Sequence, residues 1–252
     1  MRIDKNNVFL FDAFNKYGII RRTYRELFEG NFTIATTVSP DYDSILKEYE
    51  EDFKQDINSG YKNCCIVGAT GQHTGAFISL HYILSKPIFT FTYRWFEEND
   101  GEEKKLVVPL NHNLDLILNI VIYKFDSNFH VDINGTKTSL PHGNIINYQD
   151  AYKWVGCANN LGVGTEGYDK QYASIFEGDI TKLHIQNSLM SKAEIKQLFN
   201  DYKSFKANYL YQDNGNSVLF SSDFSEFTPY KIKDFSVNNN NIIKYDPMWF
   251  TD

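Results

Sequence analysis

Short runs of β-branched and aromatic residues recur along the first 140 positions of this 252-residue chain, and turn residues separate them. The clearest runs occupy 7–14, 31–38, 64–69, 75–84 and 88–96. In the last run every second residue from Phe89 to Trp95 is aromatic, which places these side chains on one face of a strand. Many short strands at this spacing are typical of a β-sandwich or barrel.

The segment 114–140 predicts an antiparallel meander. A long strand is expected to turn at 126–128 and a second strand to follow it. After that strand, Asn134 and Gly135 form the pair that most readily adopts the positive φ angles of a two-residue type I′ hairpin. Neighbouring strands in this region are therefore predicted to run antiparallel.

Two helices interrupt the strand pattern. Residues 41–57 carry apolar side chains at helical spacing, and Asp43 or Ser44 is the expected N-cap. A later strand, in which a step out of register indicates a bulge, leads into the second helix. That helix begins with a capping box, in which Ser191 and Glu194 each satisfy a free backbone N–H of the other.

Charge and hydropathy exclude two classes of partner. The net charge of −7 argues against nucleic acid, which requires a surface of clustered lysine and arginine. No segment approaches the ~18–20 apolar residues that span a bilayer, so membrane insertion is not expected.

The N-terminus lacks the apolar core of a signal peptide, and three sparse cysteines do not form a disulfide framework. We expect the chain to be made in the cytoplasm.

The C-terminal half resembles a known family. The order of residues in 176–198 resembles the C-terminal signature of laminin-G-like domains, which belong to the concanavalin A-like lectin/glucanase superfamily. Residues 120–135 resemble that family's strand–turn–strand unit, and 153–160 resemble the strand that follows it. The signature residues are Phe176, Gly178, Ile180, Leu183, Ile185, Leu189, Met190, Ser191, Glu194, Ile195 and Leu198.

This resemblance implies an all-β fold: a two-sheet antiparallel jelly-roll sandwich in which the last core strand leads into a short C-terminal closing helix. The chain departs from the family pattern in two places. The helix at 41–57 is an insertion, and the sequence continues beyond the closing helix. We therefore predict a laminin-G-like domain over 1–203 and a β or irregular extension over 204–252.

The extension is rich in aromatic residues and has few aliphatic ones. It is predicted either to pack on its own domain or to dock to a partner chain, because aromatic anchors dominate interface energetics. The candidate docking residues are Phe224, Phe227, Tyr230, Trp249 and Phe250.

For function, the resemblance favours a non-catalytic module that binds a glycan or a partner protein. Sugar rings stack on aromatic side chains, and the candidates are Tyr93, Trp95, Trp154 and Tyr168, each of which has a core position as its alternative. One setting is a phage or virus particle, as an adhesin, fibre or decoration protein among other virion subunits. Another is a cytoplasmic polysaccharide-binding protein of surface-glycan assembly.

An enzymatic alternative is a polysaccharide lyase of the alginate-lyase type, with Arg25, His73 and Tyr202 as the candidate catalytic residues. The chain departs from that family's pattern, because Gln72 and His73 are adjacent and Tyr202 falls at a core position of the closing helix. No strand carries the paired carboxylates of a glycosidase. No cofactor is expected, although Glu166 and Asp169 are candidate calcium ligands in a glycine-rich loop.

Overall fold

The computed structural model of the protein describes residues 10–11, 17–23, 30–55, 61–69, 75–83, 86–96, 103–141, 160–163, 176–211, 217–226 and 231–245. Within these ranges the chain forms two antiparallel β-sheets with a few helices, so the predicted all-β sandwich is confirmed. None of the helices in the described ranges is long and apolar enough to cross a bilayer.

Within the described ranges the first sheet has seven strands: β1 (Leu10–Phe11), β3 (Phe32–Pro40), β8 (Leu118–Phe125), β9 (Asn128–Ile133), β10 (Thr136–Pro141), β12 (Gly178–Gln186) and β13 (Val218–Ser222). Their order in space is β1-β12-β3-β8-β9-β10, and β13 is a further partner of β12. β1 pairs with the beginning of β12 and β13 with its end. The register between β12 and β3 shifts between Ile180 and Lys182, which confirms the predicted bulge.

The second sheet has eight strands in the part of the chain that the structure describes: β2 (Tyr17–Thr23), β4 (Tyr61–Ala69), β5 (Gly75–Ile83), β6 (Lys86–Phe96), β7 (Glu103–Leu110), β11 (Asn160–Val163), β14 (Lys231–Ile232) and β15 (Ile242–Tyr245). Their order is β14-β15-β2-β11-β4-β5-β6-β7. Consecutive strands from β4 to β7 are neighbours, which is the meander that their short connections favour.

The main core fills the space between the sheets, because alternate residues of each strand face inward. The aromatic residues of β6 from Phe89 to Trp95 are at most 2% exposed. Trp95 packs against Phe129 of β9 with ring centroids 4.6 Å apart, and Tyr93 packs against the same ring at 5.4 Å. Burying an aromatic side chain of this size contributes about 1.5–3 kcal/mol.

The hairpin between β9 and β10 has the predicted turn. Asn134 and Gly135 have φ angles of 50° and 89°, as a type I′ turn requires. The Asn134 side chain accepts a hydrogen bond from the backbone N–H of Asn119 and donates one to the carbonyl of Ile117. These bonds join the hairpin to the start of β8.

The inserted helix, α1, spans Tyr42–Gln55. Its N-cap is Asp41 rather than the predicted Asp43 or Ser44, since the Asp41 carboxylate accepts the backbone N–H of Ser44 at 3.0 Å. Tyr42, Ile45 and Tyr49 on one helical face are buried in the main core. The insertion is therefore an integral part of the sandwich.

The closing helix, α2, spans Lys192–Asn200, and both hydrogen bonds of the predicted Ser191–Glu194 capping box are present. The Lys182 ammonium group donates to the carbonyl of Phe199, at the C-terminal end of the helix where a positive charge is favoured. Two further helical segments follow, α3 (Tyr202–Phe205) and a π-helical turn (Lys206–Leu210). Together they cover part of the outer face of the first sheet and enclose a second, smaller core.

The described parts of the 204–252 extension pack on the sandwich and join both sheets. β13 pairs with β12 in the first sheet, and β15 pairs with β2 in the second. Asp234 anchors the segment that connects them, because its carboxylate accepts the backbone N–H of Ser221 at 2.9 Å and that of Ser236 at 2.8 Å. The extension thus contributes to the same sandwich that 1–203 begins.

Candidate functional site

A groove of about 880 Å³ lies on the outer face of the first sheet. One wall is α2 together with Leu189 and Met190, which precede it. The outward-facing residues of β8 form the floor, and the β9–β10 hairpin forms the opposite wall. The helix layer covers the sheet over β3 and β12 and leaves this cleft beside it.

The floor of the groove is apolar and aromatic because β8 carries large side chains on both of its faces. Leu118, Ile120 and Ile122 face the main core, whereas Val121, Tyr123 and Phe125 face outward. Tyr123 stacks on its cross-strand partner His130, with ring centroids 4.6 Å apart and an interplanar angle of 9°. Phe125 remains 47% exposed. An exposed aromatic surface on a paired central strand is a rigid platform for a ligand.

The wall that contains α2 is fixed to the sheet by hydrogen bonds. The Thr33 hydroxyl donates to the carbonyl of Ser188 at 2.8 Å and accepts from the backbone N–H of Met190 at 3.1 Å. Ile195 and Phe199 turn their apolar side chains toward the sheet. The shape of the groove is therefore set by packed elements on both sides.

Three lysines from the described part of the chain lie at the rim of the groove. Lys192 and Lys196 lie one turn apart on α2, and Lys137 lies on β10. Asp132 is the acidic residue among the groove residues, and its carboxylate accepts the backbone N–H of Gly135 at 2.8 Å. The same carboxylate lies 3.8 Å from the Lys137 ammonium group. The groove thus has positively charged edges above an apolar floor.

His130 is the cross-strand neighbour of Tyr123 on the same face of the sheet, and its surroundings favour the neutral imidazole. Burial lowers the pKa of His130 below its ordinary value of 6.5, a hydrogen bond with the backbone of Phe125 opposes this shift, and the nearby charge of Lys137 adds to it. The shift favours an uncharged ring beside Tyr123.

Two of the predicted stacking residues lie elsewhere. Tyr93 and Trp95 are fully buried between the sheets, so the prediction that they contact a ligand is wrong and their alternative as core residues is correct. Alternation along β6 groups these rings on one face, and that face is the inner one. Trp154 and Tyr168, together with the calcium candidates Glu166 and Asp169, lie outside the described residues.

Of the three candidate lyase residues, only Tyr202 lies in the described part of the chain, and its position does not support catalysis. Tyr202 is 6% exposed, and its hydroxyl lies 2.8 Å from the Ser221 hydroxyl beneath the helix layer. Burial raises the pKa of this phenol well above 10. A phenol so enclosed cannot reach a substrate, which corrects its assignment as a catalytic candidate. Arg25 and His73 lie outside the described residues.

Phe224 also occupies a different position from the one predicted. It is 1% exposed and belongs to the main core, so its assignment as a docking anchor is wrong. The other docking candidates, Phe227, Tyr230, Trp249 and Phe250, lie outside the described residues.

Sequence reasoning missed the groove residues Tyr123, Phe125, Lys192 and Lys196. One signal was available: the run 118–125 is apolar on both strand faces, which indicates that its outer face is also covered or used.

In the part of the chain that the structure describes, no three histidine, cysteine, aspartate or glutamate side chains are grouped as a metal site requires.

Comparison with known proteins yields similarities of structure. No family model matches the sequence, and no curated protein matches it. A Bacteroides ovatus protein provisionally described as carbohydrate binding aligns with a TM-score of 0.52 and 11% identity, over 93% of this chain and 56% of its own. The chain thus spans little more than half the length of that protein.

Two further similar structures have lower scores. The enzymatically active domain of tailspike protein 2 from bacteriophage CBA120 has a TM-score of 0.46 and 13% identity, over 84% of this chain and 29% of its own. The CBM40 of the Ruminococcus gnavus IT-sialidase has a TM-score of 0.45 and 10% identity, over 75% of this chain and 92% of its own. Together with the two-sheet topology, the Bacteroides ovatus match shows that this chain has an antiparallel jelly-roll sandwich fold.

Proposed function

We propose that this protein is a non-catalytic carbohydrate-binding module and that the groove beside α2 holds the glycan. The observation that carries the proposal is the composition of the groove: an exposed aromatic floor on a central strand, flanked by polar side chains. Pyranose rings have an apolar face that packs on aromatic side chains and a periphery of hydroxyl groups that need polar partners.

The polar groups of the groove suit binding better than catalysis. A glycosidase needs two carboxylates on either side of the scissile bond. Asp132 instead accepts the backbone N–H of Gly135, which gives it a structural role in the hairpin wall. The buried position of Tyr202 also favours a module without lyase chemistry.

The packing of the extension supports a self-contained module. Phe224 and the residues of β13 are buried in the sandwich, as expected for a segment that stabilises its own domain. This packing favours a free-standing lectin-like unit over one that requires a partner chain to order its C-terminal region. Membership of a virus particle gains no support from these contacts.

Affinity electrophoresis through gels that contain different polysaccharides tests the proposal. We expect retardation in at least one gel, and we expect Phe125→Ala to weaken binding about tenfold, since stacking with burial of apolar surface contributes about 1–2 kcal/mol. Tyr211→Ala is the matched control, because Tyr211 is 63% exposed and is not part of the groove. Unchanged mobility in all gels, or equal losses for the two variants, would contradict the proposal.

A further inference from the structure

The charge on the groove rim indicates which glycans it selects. We propose, on the basis of the carbohydrate-binding function proposed above, that the groove takes a glycan bearing carboxylate groups, of the uronic- or sialic-acid type. The lysines of the rim would pair with these carboxylates while the sugar rings pack on the aromatic floor.

The position of the lysines on α2 is the first argument. Lys192 and Lys196 stand ~6 Å apart along the helix axis, a separation comparable to one sugar unit. Lys192 is the first residue of the helix, where the helix dipole disfavours a positive charge, and the last turn carries no basic residue. Helix stability therefore does not account for this arrangement, whereas recognition of an anion in the groove does.

The opposite wall supplies the second argument. Lys137 is 54% exposed at its side chain and reaches the groove from β10, across the floor from α2. Its distance of 3.8 Å from Asp132 is long for an ion pair, and the two charges remain partly solvated. Lys137 can therefore turn toward the carboxylate of a ligand, because Asp132 stays partly solvated and keeps its hydrogen bond from Gly135.

The local balance of charge differs from that of the whole chain. Among the residues that the structure describes, the groove includes three lysines and one aspartate, whereas the chain carries a net charge of −7. A positive site on a negative protein selects short anionic segments that reach the groove and repels polyanions that would lie along the rest of the surface. This contrast favours an acidic glycan over a nucleic acid.

Isothermal titration calorimetry with matched pairs of ligands tests the inference. The probes are oligogalacturonate, oligomannuronate, a glucuronate-containing oligosaccharide and sialyllactose, each beside its neutral methyl ester, with single-stranded oligothymidylate as the nucleic-acid arm. We expect at least one acid to bind about tenfold more tightly than its ester, with the difference lost as ionic strength rises from about 0.05 to about 0.5 M.

Charge-matched variants assign the effect to the rim. K192Q/K196Q is expected to weaken binding of the acid about fivefold, because exposed ion pairs are individually weak, and to change binding of the ester less than about twofold. K86Q/K105Q removes the same charge from exposed positions of β6 and β7 outside the groove and is expected to change neither. Melting temperatures of both variants confirm that each is folded.

The possible outcomes separate this inference from the proposed function. If acid and ester bind equally and Phe125→Ala weakens both, the groove is a neutral-glycan site and the inference is wrong while the function stands. If no sugar binds, the proposed function itself fails. If oligothymidylate binds as tightly as the best acid, or if K86Q/K105Q matches K192Q/K196Q, selection of an acidic glycan by the rim is refuted.

Discussion

The ammonium group of Lys62 lies 3.0 Å from the carboxylate of Glu177, and Lys62 also pairs with Glu48 of α1. Glu177 is 3% exposed, and its backbone carbonyl accepts the N–H of Asp41 at 3.0 Å. One lysine thus joins the inserted helix, β4 and the segment that leads into β12. Because the buried Glu177 shares a single cation with a second carboxylate, this junction is sensitive to pH.

Glu177 is expected to make the protein less stable as the pH rises toward neutrality. Burial, reinforced by its hydrogen bond with Glu48 and opposed by Lys62, raises the pKa of this carboxyl from 4.5 to about 7. A folded-state pKa above the unfolded value gives stability that is present below about pH 4.5 and is lost as the pH rises through about 7. Between about pH 5 and about pH 8 the wild type is expected to lose about 2 kcal/mol of unfolding free energy through this carboxyl group. Glu177→Gln is expected not to show this loss, and urea unfolding at both pH values measures the difference. Parallel curves for the two proteins would contradict this assignment.

His184 provides the opposite pH dependence. It is fully buried, with its two ring nitrogens 3.1 Å from the Ser221 hydroxyl and 2.7 Å from the Gln186 side-chain oxygen. Burial lowers its pKa from 6.5 to about 4, so its contribution to stability is present above about pH 6.5 and is lost as the pH falls toward 4.

We therefore expect His184→Gln to be less stable than the wild type at neutral pH but to lose less stability on acidification to about pH 4.5. Thermal unfolding at several pH values measures this slope. The same series on Glu177→Gln is the control, because that variant should lose more stability than the wild type over the same range. Equal slopes for the two variants would show that neither group controls the dependence.

The capping box is expected to stabilise one wall of the groove. Ser191→Ala removes the side-chain acceptor for the Glu194 backbone N–H and should cost about 1 kcal/mol of unfolding free energy. Ser191→Thr keeps a capping hydroxyl and should cost only a few tenths of a kcal/mol. Chemical denaturation of both variants measures the difference, and an equal loss in both would argue against the cap.

Substitution of Phe224 tests whether this side chain is a core residue or a docking anchor. Its burial in the main core predicts that Phe224→Ala lowers the unfolding free energy by about 3–5 kcal/mol. Tyr211→Ala, at an exposed position, should change the free energy by less than about 0.5 kcal/mol. A Phe224→Ala protein as stable as the wild type would contradict the core position.

The features that the sequence predicted correctly depend on neighbouring residues. Asn134-Gly135 and Ser191–Glu194 each specify backbone geometry within four residues, so their turn and cap follow from local chemistry alone. The N-cap of α1 was misplaced by two or three residues, because Asp41, Asp43 and Ser44 are all good capping residues and only the start of the packed face selects among them.

The candidate site was harder to predict because it depends on contacts between distant segments. Alternation along β6 correctly grouped Tyr93 with Trp95, but alternation does not reveal whether a face is inner or outer. The groove combines Tyr123 and Phe125 of β8 with Lys192 and Lys196 of α2. Only the tertiary placement of the closing helix on the first sheet brings these residues together.

The pairing of β15 with β2 has a consequence for biosynthesis. Ile243 lies opposite Ile19 in this ladder, and β13, near the C-terminus, completes the edge of β12. Such pairings raise the contact order of the fold and slow its folding. On the ribosome, neither sheet is complete until β13 and β15 have emerged. Until then their partners, β12 and β2, have unpaired strand edges. Chains that stop short of β15 are therefore expected to aggregate during translation rather than to accumulate as a smaller folded domain.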